Sequence, residues 1–295
     1  MTRIAALQFK AHKAQPEQSL SALCQQIEQA AQAGAQLVVC PEMATSGYLF
    51  ADPAAIAPRC ETAAGGSFPT LSALARRHGL YLVCGYPEHV SAAAQPGDAA
   101  PGAPVHEPAP SDAQPLPGAR RFNSARVIGP DGGLLYNYRK RLLYSADTTW
   151  AADGDTPYPI LDTPFGRLCV GICMDLNDDR FVEFLRVQSA TRPLILAFCT
   201  NWLDEGSDVL PYWCYRLRGF RGVFVAANTF GDESEPNHPP TRFCGRSTIL
   251  TMDYEDPVTR DDESRDDDSD WTAGLRITLH ARAKRTGSAI LLVDL

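Results

Sequence analysis

Short runs of aliphatic and β-branched residues alternate along this chain with segments whose apolar residues recur at helical spacing. Residues 3–9 predict a strand, residues from Glu17 onward predict an amphipathic helix that Gly34 ends, and residues 37–40 predict a buried strand. This alternation is typical of a layered α/β architecture, in which helices cover the faces of a sheet. The 295 residues are 44% hydrophobic, which is enough apolar material for a large core.

The same alternation continues to the end of the chain. The further predicted strands are residues 80–86, 122–128, 134–138, 168–173, 194–199, 223–227, 248–251 and 289–293. The further predicted helices are residues 70–78, 181–190 and 210–221. Because no internal repeat and no linker separates these elements, we expect residues 1–295 to form a single domain.

Two segments interrupt the pattern. In residues 91–118, 15 of 28 residues are Ala or Pro and no periodicity is present, which predicts a surface insertion. Residues 252–270 hold ten acidic and two basic residues, which predicts a solvated acidic loop. This loop lacks the regular spacing and central glycine of a calcium-binding loop.

The charge and the cysteines exclude several classes of protein. The net charge of −8 argues against nucleic acid as a partner. The sequence contains no apolar run of the length that a membrane helix needs and no signal peptide, so we expect a cytoplasmic protein without membrane contact. Nine cysteines in such a chain argue against a disulfide framework.

The common cofactor and metal motifs are missing from the sequence. It has no Gly-x-Gly-x-x-Gly after a strand, no phosphate-binding loop, no His-Glu-x-x-His and no Gly-x-Ser-x-Gly. Cys169 and Cys173 lie on one predicted strand, about 13 Å apart, which is too far to share a zinc ion. We therefore expect neither a metal nor a cofactor.

Reactive polar residues follow three of the predicted strands. Glu42 lies just beyond residues 37–40, Lys140 ends a hairpin strand, and Cys173 ends the strand at 168–173. If these strand ends converge, Lys140 favours the thiolate of Cys173 and then stabilises a tetrahedral oxyanion. Glu42 takes the thiol proton and returns it to a leaving amine, and the product of that step is a thioester. By spacing alone, each residue is equally consistent with a structural role.

The blocks around these residues resemble the signature blocks of the nitrilase (carbon–nitrogen hydrolase) superfamily. They are Pro-Glu-Met-Ala-Thr-Ser-Gly-Tyr at 41–48, Tyr-Arg-Lys at 138–140 and Gly-Ile-Cys-Met-Asp at 171–175, with supporting blocks at 200–202, 227–231 and 243–247. The resemblance implies a four-layer α-β-β-α sandwich and a Glu42–Lys140–Cys173 triad that hydrolyses a non-peptide C–N bond. It also implies a homo-oligomer. The insertion at 91–118 is foreign to compact members.

Within that superfamily, several stretches resemble the branch that deamidates N-terminal Asn and Gln of proteins. They include Ser-Gly-Tyr-Leu-Phe at 46–50 and Gly-Tyr-Pro-Glu at 85–88. The alternatives are an ω-amidase, an N-carbamoyl amino acid hydrolase or a nitrilase acting on small molecules. A binding protein that kept the fold without the chemistry is a further alternative.

The resemblance also raises the question of auxiliary residues. Many members carry a second glutamate that positions the lysine, and the nearest match here is Asp153, which is one methylene shorter. An N-terminal amide carries an α-ammonium group, so its pocket needs a carboxylate near the thiol. The candidate pocket residues are Tyr48, Asp147, Asp175, Asn201 and Trp202, with Asp147 and Asp175 as the candidate carboxylates.

Overall fold

A computed structural model describes residues 2–90, 120–236, 238–254 and 274–295. Its first large sheet has six strands in the order β14-β1-β2-β3-β4-β5. Strands β1, β2 and β3 are parallel, while β14, β4 and β5 join by antiparallel pairing. The bounds are β1 Arg3–Gln8, β2 Leu37–Val39, β3 Tyr81–Val90, β4 Arg120–Ile128, β5 Leu134–Arg139 and β14 Ala289–Asp294.

The second large sheet also has six strands, in the order β13-β12-β9-β8-β7-β6. Strands β7, β8 and β9 are parallel, and the outer strands pair antiparallel. The bounds are β6 Leu161–Thr163, β7 Gly166–Ile172, β8 Leu194–Thr200, β9 Gly222–Asn228, β12 Thr248–Tyr254 and β13 Leu275–Arg282. A separate hairpin pairs β10 (Phe230–Glu233) with β11 (Thr241–Cys244).

Helices cover the outer face of each sheet, so the fold has four layers. The bounds are α1 Pro16–Gln32, α2 Pro53–Ile56, α3 Phe68–His78, α4 Asp179–Thr191 and α5 Val209–Arg216. Helices α1 and α3 share an apolar core with the first sheet, and α4 and α5 share another with the second. A third core lies between the two sheets. The predicted α-β-β-α sandwich is therefore confirmed.

The strands that precede the reactive residues belong to different sheets, and the packing of the sheets brings their ends together. Glu42 follows β2 and Lys140 follows β5 in the first sheet, whereas Cys173 follows β7 in the second. The core between the sheets contains Cys173 together with Val39 of β2 and Tyr138 of β5. Carboxyl ends of parallel strands are where α/β folds commonly bind ligands.

Some predicted elements differ from those observed. The helix predicted over 210–221 ends earlier, at Arg216, with Leu217 as its C-cap, and Gly219 beyond it has a left-handed φ of +83°. Strand β13 and the β10–β11 hairpin were not predicted. The prediction of an acidic loop over residues 252–270 is wrong at its start, because Met252 to Tyr254 lie in β12. The rest of the loop, and the insertion at 91–118, lie outside the described residues.

One observation bears on membranes. Among the helices of the described ranges, none combines the length and the apolar character that crossing a bilayer requires.

Candidate active site

Cys173 lies at a sharp turn immediately after β7. Its φ is +43°, in the left-handed region that residues other than glycine rarely adopt. Gly171 lets helix α4 pack closely there, since a Cβ at this position would come within 2.6 Å of the Phe181 ring. Backbone strain of this kind is concentrated at functional sites, where the surrounding structure maintains it.

Asp175 is the residue that fixes this turn. Its carboxylate accepts hydrogen bonds from the Ile172 N–H at 2.9 Å and the Tyr138 hydroxyl at 2.8 Å. It also accepts the N–H groups of Arg141 and Leu142, at 3.0 and 3.1 Å. The carboxylate is fully buried and is not among the groups that line the cavity described below. The prediction that Asp175 lies in the substrate pocket is therefore wrong; its contacts join the cysteine turn to the segment after Lys140.

Lys140 is fully buried between two carboxylates. Its ammonium group donates to Glu42 Oε1 at 2.7 Å and to Asp147 Oδ2 at 2.6 Å. Asp147 also accepts the Tyr144 backbone N–H at 3.0 Å. Asp147 is thus committed to the lysine, and it is not among the lining residues, which corrects its predicted place in the substrate pocket.

Asp153 does not reach the lysine. Its side chain is exposed, and no hydrogen bond or ion pair in the described structure joins it to Lys140. Asp153, the candidate auxiliary residue, therefore does not contact the lysine, and the second carboxylate that holds Lys140 is Asp147. Asp147 lies in a 3-10 turn that starts seven residues after the lysine and faces back toward it.

Asn123 is the residue of this cluster that the sequence analysis missed. Its side-chain NH₂ donates to Glu42 Oε1 at 2.7 Å and to Asp147 Oδ1 at 3.1 Å, so it bridges the two carboxylates. The backbone N–H of Asn201 holds the other oxygen of Glu42 at 2.8 Å. The available signal was a polar Asn-Ser pair between the apolar residues Phe122 and Ala125 of strand β4.

Burial and nearby charges together determine the protonation states of Lys140 and Glu42. Burial alone would lower the pKa of Lys140, but the carboxylates of Asp147 and Glu42 outweigh it and raise that pKa well above its ordinary value. Burial raises the pKa of Glu42, and the nearby charge of Asp147 raises it further, while Lys140 opposes both effects. Lys140 is therefore a permanent cation, and Glu42 is a carboxylate with increased affinity for a proton.

The thiol of Cys173 responds to the same charges. Burial raises its pKa far above the ordinary value, the charge of Glu42 raises it further, and Lys140 lowers it by a smaller amount. The free site therefore holds a neutral thiol beside a carboxylate. Lys140 thus acts in the direction that favours the thiolate, but burial and the charge of Glu42 outweigh its attraction.

The cluster lies beside a cavity of about 300 Å³, one wall of which is Cys173. Three predicted pocket residues, Tyr48, Asn201 and Trp202, line it. The Tyr48 ring lies 5.9 Å from Lys140 Nζ, and buried Glu233 fixes this loop by accepting the Tyr48 and Leu49 backbone N–H groups at 3.1 and 3.0 Å. The cavity is large enough for a small acyl group, and four of its thirteen lining residues are aromatic.

In the described part of the chain, no cluster of three or more His, Cys, Asp or Glu side chains could hold a metal ion.

A model of the family described as carbon-nitrogen hydrolase matches residues 3–264 of the sequence. The match covers most of the chain and includes the Glu42–Lys140–Cys173 cluster and every strand of the two large sheets except β13 and β14. The chain belongs to the carbon-nitrogen hydrolase family. Its membership agrees with the signature blocks identified in the sequence.

The curated relatives of this chain include omega-amidases, nitrilases and protein N-terminal amidases. The omega-amidase NIT2 of Xenopus tropicalis is 29% identical over 200 residues, which are 63% of this chain and 59% of the relative. The protein N-terminal amidase of Schizosaccharomyces pombe is 23% identical over 254 residues, 74% of this chain and 79% of the relative. The chain thus spans less than two thirds of the omega-amidase.

Solved structures share the fold. A cysteine-to-alanine mutant of the Nesterenkonia AN1 amidase from the nitrilase superfamily superposes with a TM-score of 0.67 and 21% identity, over 100% of this chain and 90% of the other. Another mutant of that amidase, with a TM-score of 0.67 and 20% identity over 100% of this chain and 93% of the other, shows Michael addition of acrylamide at its active-site cysteine. At this identity the likeness establishes the four-layer fold.

Proposed function

We propose that this protein hydrolyses carboxamides to carboxylic acids and ammonia, with Cys173 as nucleophile, Glu42 as general base and acid, and Lys140 as electrostatic stabiliser. The observation that carries the proposal is the cluster at the cavity wall. A buried thiol there lies under the charges of a carboxylate and an ammonium group, and these two are themselves joined at 2.7 Å. Family membership and the amidase relatives support the same chemistry.

The first half of the reaction forms an acyl-enzyme. The Cys173 sulfur attacks the amide carbon as Glu42 takes the thiol proton, and the carbonyl π-electrons move to the oxygen. Lys140 carries a fixed positive charge beside that oxyanion, because Asp147 and Glu42 hold its ammonium group in place. Glu42 then returns the proton to the nitrogen, the C–N bond breaks, and ammonia leaves a thioester on Cys173.

The second half of the reaction restores the free enzyme. A water molecule attacks the thioester carbon while Glu42 takes one of its protons, and the new tetrahedral oxyanion again faces Lys140. Collapse breaks the C–S bond, and the proton on Glu42 passes to sulfur. The overall balance is amide plus water giving acid plus ammonia, with no cofactor consumed.

Asn201 supports an amide rather than a nitrile as the substrate. Asn201 lines the cavity, and its side-chain oxygen is buried without a hydrogen-bond partner among the described residues. A carboxamide NH₂ group can donate to this oxygen, whereas a nitrile has no N–H to offer. Leaving such an oxygen unpaired in the complex costs binding free energy of about 1–3 kcal/mol.

Ammonia release from a substrate panel tests the proposal. The panel holds simple amides, Asn- and Gln-starting peptides, ω-amides of keto acids, N-carbamoyl amino acids and nitriles. Replacement of the nucleophile by Cys173→Ala should reduce turnover at least about a thousandfold. Cys169→Ala, which removes a buried thiol from the opposite face of the same sheet, is the matched control and should keep full turnover. An unaffected Cys173→Ala variant, or no release from any compound, would refute the proposal.

Two further expectations stay with this proposal. Self-association into a homo-oligomer is predicted from the family, and light scattering at several protein concentrations measures it. The cytoplasmic location is likewise a prediction.

A further inference from the structure

Two carboxylates that the mechanism does not use line the cavity, Glu205 and Asp208. Glu205 lies in the loop between β8 and α5 and lines the cavity with Cys173. The two acids nearest to it in sequence have partners: Asp204 pairs with Arg285, and Asp208 pairs with Arg282 and lies 3.6 Å from Arg246. Glu205 has no ion pair or hydrogen bond in the described structure. Its charge is therefore free to act on a molecule in the cavity.

The other lining groups favour a cation over an anion. Four aromatic side chains line the cavity, Tyr48, Tyr144, Trp202 and Tyr212, and aromatic faces attract positive charge. The described residues that line it include no lysine, arginine or histidine. The mechanism assigns Lys140 to the oxyanion, and two carboxylates already hold it. A carboxylate on the substrate would therefore find no positive counter-charge among the lining residues, and it would be repelled by Glu205.

We infer that Glu205 binds an ammonium group of the substrate, so that the site selects amides that carry a positive charge and no carboxylate. This inference rests on the proposed amide hydrolysis and adds the substrate class. A chain that begins with asparagine or glutamine meets the description, because its α-ammonium group lies a few bonds from the side-chain amide. The ω-amide of a keto acid does not meet the description, because it carries a negative carboxylate at a similar number of bonds from its amide.

Three substrates that differ in the charge near the amide test the inference. The probes are a glutamine-starting tripeptide amide, its N-acetylated form, and the ω-amide of a keto acid of similar length. For the wild-type protein, kcat/KM should be highest for the free peptide, lower for the acetylated peptide and lowest for the keto acid amide. Glu205→Gln should lower kcat/KM for the free peptide about tenfold, mainly through KM, and change the acetylated peptide by less than about twofold.

A matched control separates binding from overall charge. Asp162→Asn removes one exposed carboxylate from β6, and Asp162 does not line the cavity, so it should leave the preference unchanged. Glu205→Lys should reverse the preference and raise kcat/KM for the keto acid amide. Equal effects of Glu205→Gln on the free and acetylated peptides would overturn the inference while leaving amide hydrolysis intact. Absence of turnover on all three probes in the wild type would overturn both.

Discussion

Two cations are fully buried in the first sheet, Lys140 and Arg126, and their surroundings differ. Lys140 lies at the end of β5 beside the cysteine and the cavity, held by Glu42 and Asp147. Arg126 lies within β4, and it is absent from the groups that line the cavity. Both avoid the large cost of an unpaired buried charge by facing carboxylates.

The surroundings of Arg126 are those of a structural cation. Its guanidinium donates to Glu61 and to the Ser67 hydroxyl, both at 2.8 Å, and to the Thr62 carbonyl oxygen at 2.9 Å. It also lies 3.5 Å from the centre of the Tyr86 ring. These contacts anchor the loop before α3 to the sheet.

The difference between the two sites lies in what surrounds the charge rather than in the charge itself. Arg126 interacts with a loop and an aromatic ring. Lys140 interacts with carboxylates that also act on a thiol, at the wall of a cavity. Burial of an ion pair alone therefore does not identify a reaction centre; a nucleophile and an open space beside the pair are also needed.

The largest expected effect comes from removing each cation. Lys140→Met should reduce kcat at least about a thousandfold, because the oxyanion loses its counter-charge. It should also lower the free energy of unfolding by about 3–5 kcal/mol, since Glu42 and Asp147 are left buried without a cation. Arg126→Met should lower the free energy of unfolding by a similar amount but keep kcat of the folded protein.

Denaturant titration and ammonia release, both measured well below the thermal midpoint, check this pair of variants. Loss of kcat in folded Arg126→Met would show that the two cations are not functionally distinct.

The next largest effect concerns the two carboxylates. Glu42→Gln should reduce kcat about 10²–10⁴-fold, because the amide cannot take the thiol proton. Glu61→Gln, the matched change beside Arg126, should lower the free energy of unfolding by about 1–3 kcal/mol without a change in kcat. Initial rates and circular dichroism of the two variants make the comparison, and a stable, fully active Glu42→Gln protein would exclude Glu42 as the base.

A smaller effect distinguishes Asp147 from Asp153. Burial, with the charge of Asp147, raises the pKa of Glu42, so kcat should fall as the pH decreases through a value above that of an ordinary glutamate. Asp147→Asn removes the negative charge that helps to raise the pKa of Glu42, so the fall in kcat should move to lower pH. At optimal pH, kcat should decrease about tenfold to a hundredfold, because Lys140 is positioned less well.

Asp153→Asn is the control and should keep both the rate and the pH profile within about twofold, because its side chain is exposed. A pH–rate profile of each variant checks the pair. An acid limb that does not move in Asp147→Asn would mean that another group sets it.

Much of this protein could be predicted from local sequence. Most strands and helices followed from hydrophobic period, and the four-layer sandwich followed from the resemblance of the signature blocks. Glu42, Lys140 and Cys173 were predicted from their positions at strand ends, which the same blocks reinforced. These features depend on residues close together in the chain. Elements with weak local signals, such as the mostly exposed strand β13, were missed because their pairing partner rather than their own pattern stabilises them.

The sequence by itself therefore determined the layers and the three reactive residues. Only the tertiary structure decided which polar groups surround them. It pairs Lys140 with Asp147 rather than Asp153, commits Asp175 to the cysteine turn, and brings Asn123 to Glu42 across 81 positions of the chain. The physical reason is that a hydrogen bond depends on distance and direction in space. Those are set by how the two sheets pack, and no local pattern records them.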